Sequence, residues 1–362
     1  MSSEDWFERL TGFRETDADA VRDRLRMEGT TLVCTPNGAR YQVGTLELAS
    51  LAELRERVAA LMPSEHSLRL RAISGDARSL HRNPDYQGAL FQVASQFNLL
   101  EMTAPSLTPE DGVTRYASDP TQGPACAIAA GAATIYRNYL VPVGGQLGQS
   151  RDKQLDALAD LGDALATLTG KQLPELWTMR NGYALATESG LDAINAVLAE
   201  IDEAGRDALR SSLRIGLHWN VEVTDGAQHP RPIVSQAFCS ALPVAYSRVD
   251  SARWEPLARL VLEAAYEATL LAGAMHARAG GTNRVLLTRL GGGAFGNPLA
   301  WIDAAIERAL RIHRQHDLDV HWVAYRAPDQ AMLALVGRFT RGRRLSGSVQ
   351  GASSGSVSPA TR

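Results

Sequence analysis

Residues 284–310 read RVLLTRLGGGAFGNPLAWIDAAIERAL. An apolar run beginning at Arg284 leads into Gly291-Gly292-Gly293-Ala294-Phe295-Gly296, and Asn297-Pro298 opens a stretch with apolar residues at three-and-four spacing. The pattern predicts a strand, a glycine loop and a helix, with Asn297 as N-cap and Pro298 in the first turn. Glycines let the backbone approach an anion closely, and a turn feeding a helix N-terminus presents N–H groups and the positive end of a dipole. The segment is read as a phosphate cradle. The plainer alternative, a turn that eases strand-to-helix packing, has less need of three successive glycines.

Formally these glycines also satisfy G-x-G-x-x-G, the dinucleotide fingerprint. That fingerprint follows a first strand and needs a long strand–helix series behind it. Here only one clear strand follows, and Asp317 and Asp319 open that strand instead of ending it. A nicotinamide-dependent oxidoreductase therefore stands as a lesser alternative.

Working outward, strands alternate with helices. SLRLRAIS, ALFQVAS, SLRIGLHWNVEV, PIVSQAFCSALPVAY, RVLLTRL and LDVHWVAY are β-rich, and WEPLARLVLEAAYEATLLAGAMHA is a long helical run. The expected fold class is α/β, a mixed sheet flanked by helices. Residues 1–60 are read as an N-terminal extension: a charged helix over 4–27, a hairpin around Pro36-Asn37-Gly38, and a helix capped by Ser50. The main domain covers 61–340, with a helical insertion at about 150–210, and 341–362 is a basic Ser/Gly-rich disordered tail. In TIYRNYLVPV, 134–143, periodicity does not separate helix from strand. Trp177, Trp254 and Trp301 are assigned to helices.

Composition narrows the classes. The chain has 362 residues, 45% hydrophobic, with 37 basic and 40 acidic side chains and a net charge of −3. Disorder is excluded, and bulk charge offers no footprint for nucleic acid or an anionic membrane. Cys34, Cys126 and Cys239 are odd in number and far apart, which fits a reducing compartment, and neither a signal peptide nor a membrane span is expected. The expectation is a soluble cytoplasmic protein without metal or other cofactor. His313, His316 and His321 straddle a helix end and a strand start without a convergent acid or cysteine. No G-x-S-x-G elbow occurs, so a serine hydrolase is not indicated.

A second unusual stretch lies at 91–139. Gln96, Asn98 and Glu101 follow the strand ALFQVAS, at the strand exit where open α/β sheets bind ligands. Asp111 and Asp119 lie eight residues apart in a turn-rich loop, followed by Thr121-Gln122. Carboxylates beside a phosphate cradle suggest sugar hydroxyls and acid–base work on a glycosidic bond. Each aspartate taken alone is equally a turn former, Asp111 before Gly112 and Asp119 before Pro120.

Strand-LTRLGGGAFGNP-helix resembles the second phosphate-binding loop of the macrodomain superfamily, in its poly(ADP-ribose) glycohydrolase-like branch. VASQFNLLE with DGVTRYASDPTQGPA is similar to the arginine-specific ADP-ribosyl hydrolases related to a bacterial effector acting on ADP-ribosylated ubiquitin. These motifs cover about a fifth of the chain. The resemblance implies a macrodomain-like fold that binds ADP-ribose and removes it from a protein side chain, arginine above all, ubiquitin being one such protein. It implies that Gly291, Gly292, Gly293, Ala294 and Gly296 offer N–H groups to a diphosphate, that Phe295 packs on the distal ribose, and that Asn98 and Glu101 lie near ribose hydroxyls. Asp111 and Asp119 would take the leaving guanidinium and the attacking water. The glycine-rich Gln-Glu-Glu signature of the chain-degrading glycohydrolases is absent, which favours a mono-ADP-ribosyl substrate. A module that binds ADP-ribose or a related nucleotide without turnover is the alternative.

Overall fold

The computed structural model describes residues 5–61, 66–226 and 228–349, with side chains as far as residue 341. Seven segments join one sheet: β1 Thr45–Ser50, β2 Arg69–Ser74, β3 Leu90–Ala94, β4 Arg214–Glu222, β5 Ile233–Cys239, β6 Arg284–Leu287 and β7 Asp319–Ala324. Their order is β1-β4-β5-β3-β6-β7-β2. Only β4 runs antiparallel to its neighbours, β1 and β5; the pairs β5–β3, β3–β6, β6–β7 and β7–β2 are parallel. The expected mixed sheet flanked by helices is the observed one.

Burial explains the texture of the strands. β3, β5 and β6 are buried at nearly every position, as strands covered on both faces must be, whereas the edge strand β2 buries only Leu70. Along β3 the two covers are visible residue by residue. Gln92 donates to Thr269 of the helix Ser251–Arg278 at 3.0 Å, while Phe91 stacks on His81 of the helix Ala77–Arg82 with ring centroids 3.8 Å apart. The long helix also packs against the helices Leu51–Ala59 and Leu299–Ile312. There Glu267 receives Arg55 and Arg308, each at 2.6 Å. Burial alone would push this carboxyl up, but His313, Arg55 and Arg308 outweigh it and hold the carboxyl well below the ordinary range.

The parallel arrangement brings the carboxyl ends of β5, β3, β6, β7 and β2 to one side of the molecule. The segments that follow them, 95–102, 240–247, 288–297 and 325–329, are therefore neighbours, and this edge carries the site described below.

Several local expectations differ from the structure. Residues 4–27 do not form one helix: Trp6–Thr11 ends at Gly12, whose φ is 77°, Asp17 caps a second helix Ala18–Arg22, and Leu25–Glu28 is already a strand. That strand pairs with Thr31–Cys34, which pairs with Arg40–Gln42 in the expected hairpin. β1, from the stretch assigned to the extension, is an edge strand of the main sheet. The stretch 134–143 is a helix to Tyr139 and then a short strand, Pro142–Val143. Within 150–210, four helices flank a hairpin of Trp177–Arg180 and Tyr183–Ala186, so Trp177 is a strand residue, unlike Trp254 and Trp301. Asn181-Gly182 makes that turn with φ of 48° and 79°, as a two-residue hairpin demands. The stretch read as a tail begins within the helix Gln330–Val349, and residues 350–362 lie outside those described. No helix among the described residues is long and apolar enough to cross a membrane.

Candidate active site

A cavity of about 510 Å³ opens at the carboxyl ends of β3, β5, β6 and β7. Its size suits a nucleotide-sized ligand. Gln96, Glu101, Asp119, Gln122, Gly291, Gly293, Ala294 and Phe295 line it; Asn98, Asp111, Gly292 and Gly296 do not.

One wall is the glycine loop. Gly291 has a φ of 70°, and a Cβ there would lie 2.5 Å from the Ala241 methyl, so only glycine fits. The loop closes on itself: Gly292 N–H donates to Arg289 O at 3.3 Å, Gly296 N–H to Gly293 O at 3.0 Å and Asn297 N–H to Gly291 O at 2.9 Å. The N–H groups of Gly293, Ala294 and Phe295 donate to no group among the described residues, and all three residues face the cavity. A Cβ on Gly293 would meet nothing within 4 Å. Asn297 is not the N-cap. Its side chain donates to Leu242 O at 2.8 Å, tying the loop to the segment after β5, and the helix starts at Leu299 behind Pro298.

The facing wall is built by the turn after β3. Gln96 N–H donates to Leu100 O, the Gln96 side-chain oxygen accepts Met102 N–H at 2.5 Å, and the Asn98 side-chain oxygen accepts Leu100 N–H at 3.1 Å. Asn98 also donates to Gln154 at 2.8 Å, so this buried amide is spent on holding the turn. The turn carries Leu99 at a φ of 63° and brings Glu101 back under the sheet end.

Glu101 is 4% exposed, and its Oε1 has no hydrogen-bond partner. Its Oε2 lies where a Cβ on Gly123 would be, at 2.3 Å, so the carboxyl sits against the first turn of the helix Gln122–Ala129. Burial pushes this carboxyl well above the ordinary range; the charge of Arg137 opposes the shift and Asp119 adds to it. Arg137 is itself fully buried, over the Phe238 ring at 4.0 Å, donating to Leu99 O and Thr134 Oγ1. Burial pushes its guanidinium down to about 10, which leaves it charged at neutral pH.

The two aspartates part company. Asp119 reaches the cavity beside Gln122, and its Oδ1 accepts Thr121 N–H at 2.8 Å. Asp111 turns its carboxylate to Thr108, accepting from the backbone N–H at 2.9 Å and the hydroxyl at 3.2 Å, with Arg115 at 3.6 Å. The eight-residue spacing therefore spans two different environments. Gln122 bridges to the start of the helix Ala77–Arg82, accepting Ala77 N–H at 2.7 Å.

Sequence reasoning passed over three aromatic or charged contributors. Tyr183 and Tyr246 line the cavity with Phe295, ring centroids 5.2 to 5.7 Å apart, and Tyr183 donates to Met102 O at 2.5 Å. Tyr183 comes from the hairpin inside the helical block, where Asn181-Gly182 was the available signal. Arg289, at the rim, pairs with Asp303 at 2.9 Å and with Asp329.

No protein-family model matches this chain, and no curated protein does. Among solved structures it is similar to a poly(ADP-ribose) glycohydrolase from Thermomonospora curvata, at 13% identity over 89% of this chain and 95% of that one, with a TM-score of 0.41. The same enzyme bound to the inhibitor ADP-HPD matches at 12% over 90% and 95%, with a TM-score of 0.40. A poly(ADP-ribose) glycohydrolase from Deinococcus radiodurans in complex with ADP-ribose matches at 13% over 82% and 95%, with a TM-score of 0.41. Likeness at this level carries no inference about residues or chemistry, which rest on the cavity itself.

Proposed function

We propose that this protein is an ADP-ribosyl hydrolase, binding ADP-ribose in the cavity and cleaving its glycosidic bond to a protein side chain. One observation carries the reading: a buried glutamate with one unpartnered oxygen and an aspartate line the same cavity as a loop with three N–H groups that donate to no group among the described residues. Those N–H groups suit the diphosphate without a basic surface. The glycosidic carbon then falls to Glu101 and Asp119.

In this reading the carboxyls hold opposite roles because their surroundings differ, a familiar arrangement for acid–base pairs. Glu101, whose burial disfavours the charged form, gives a proton to the departing nitrogen or oxygen as the bond to the anomeric carbon breaks. Asp119 takes a proton from the water whose oxygen bonds to that carbon, and solvent exchange returns both groups to their starting states. Positive charge building on the sugar is stabilised by the same carboxylate. Asp111, bonded to Thr108 and outside the cavity lining, is given no step in this scheme.

For the linkage we propose arginine, which the sequence motifs support and whose guanidinium fork suits a carboxylate. A hydroxyl linkage is the second reading, favoured by the burial of the Glu101 carboxyl, which pushes it toward the acid form, since a departing alkoxide needs an acid more than guanidine does. The test is release of ADP-ribose from arginine-modified and serine-modified proteins by wild type, Glu101→Gln and Asp119→Asn. Each variant should lose about a hundredfold or more in rate while still binding ADP-ribose, and the faster wild-type substrate decides the linkage. Binding without release from either protein would leave only the non-catalytic module.

A further inference from the structure

Glu15 lies outside the cavity, in the N-terminal segment between the helices Trp6–Thr11 and Ala18–Arg22. Its carboxylate is nevertheless bound to the loop that supplies Asp119. Oε1 accepts Val113 N–H at 2.8 Å and the Tyr139 hydroxyl at 2.7 Å, and Oε2 accepts Thr114 N–H at 2.7 Å. Trp6 adds a fourth bond, from its indole N–H to Thr114 O at 3.3 Å. The approach is close enough that a Cβ on Gly112 would lie 2.4 Å from Glu15 Oε2, and Gly112 has a φ of 83°.

Val113 and Thr114 begin a single 3-10 turn, Thr114–Ser118. Asp119 closes its far end, donating its N–H to Tyr116 O at 3.2 Å. The fully buried Tyr116 in the middle accepts Glu101 N–H on its hydroxyl at 3.2 Å. One short turn thus touches both carboxyl-bearing residues of the cavity, and its other end is bonded to a carboxylate from a distant part of the chain.

We propose that Glu15 is a positioning residue, and that the N-terminal segment is a strap holding the 113–119 turn so that Asp119 and Glu101 keep their places at the cavity. The proposal rests on the hydrolase reading above. Glutamine at position 15 has the shape but not the chemistry: its amide nitrogen cannot accept, so at least one of the three donors is left facing another donor. Because Glu15 does not line the cavity, its loss should act on turnover and not on ligand capture, as expected of groups that hold reacting residues in register.

The experiment uses the full chain and two variants, Glu15→Gln and the milder Tyr139→Phe, which deletes one donor. It measures kcat and KM for release from the modified protein, ADP-ribose affinity by calorimetry, and amide exchange at Val113 and Thr114. Glu15→Gln should lower kcat about tenfold or more with the ADP-ribose Kd within about twofold of wild type, and should speed exchange at both amides. Tyr139→Phe should move the same quantities less. A folded Glu15→Gln with wild-type kcat overturns the proposal; should it fail to fold, an unchanged kcat in Tyr139→Phe does so. A wild type that releases nothing from any linkage refutes the hydrolase reading itself, and the positioning role with it.

Discussion

Glu101 is held against its own ionisation. A carboxyl buried beside Asp119, with one oxygen unpaired, keeps its proton far above the ordinary carboxylate range, and Arg137 offsets this only in part. The consequence for stability has a definite sign. The unfolded chain ionises Glu101 near its ordinary value while the folded chain does not, so stability is complete below that value and declines as pH rises toward the folded one. The decline is up to about 1.4 kcal/mol per pH unit in that window. Glu101→Gln removes it. Thermal unfolding of the two proteins from pH 5 to 9 should show similar Tm values at the acidic end and a growing advantage for the variant at the alkaline end. Parallel curves would mean that Glu101 is ionised in the fold. Asp111 shows the limit of spacing as evidence. Its separation from Asp119 was readable, but its capture by Thr108 three residues back is a local cap that a spacing pattern cannot distinguish from a catalytic arrangement.

Among elements, the strand–glycine–helix segment was the most legible, because all three parts are local and contiguous. Its internal hydrogen bonds were not, since Asn297 serves a carbonyl of the segment after β5 in place of the helix end. Gly293 separates the loop's shape from its use. It needs no unusual φ, and a side chain there meets nothing in the protein although the residue lines the cavity. Gly293→Val should leave Tm within about 1 °C, as surface changes away from buried features do, and should reduce ADP-ribose affinity at least about tenfold by calorimetry. Undiminished affinity in a folded variant would remove the cradle from the account. Tyr183 was missed for a physical reason. Leucine-rich helices on both sides swamp the two-residue turn signal of Asn181-Gly182, and the ring reaches the cavity only through tertiary packing.

On the scale of the whole molecule, the alternation of apolar strands with helices was enough to read a mixed sheet, and the exit of β3 was enough to name Gln96 and Glu101, which line the cavity. What could not be read was non-local: β1 crossing from the N-terminal stretch to the sheet edge, Glu15 reaching the 113–119 turn, and Tyr246 meeting the glycine loop. Each depends on pairing between segments far apart in the chain, where no periodicity speaks. The parallel strands bring the segments after β3, β5, β6 and β7 to one cavity, with N–H donors on one wall and acids on the other. A crystal structure of the protein with ADP-ribose tests that arrangement most directly. The account expects the diphosphate on the N–H groups of Gly293, Ala294 and Phe295, and the anomeric carbon of the terminal ribose beside Glu101 and Asp119. A diphosphate bound away from residues 291–296, or a terminal ribose facing away from both acids, would contradict it.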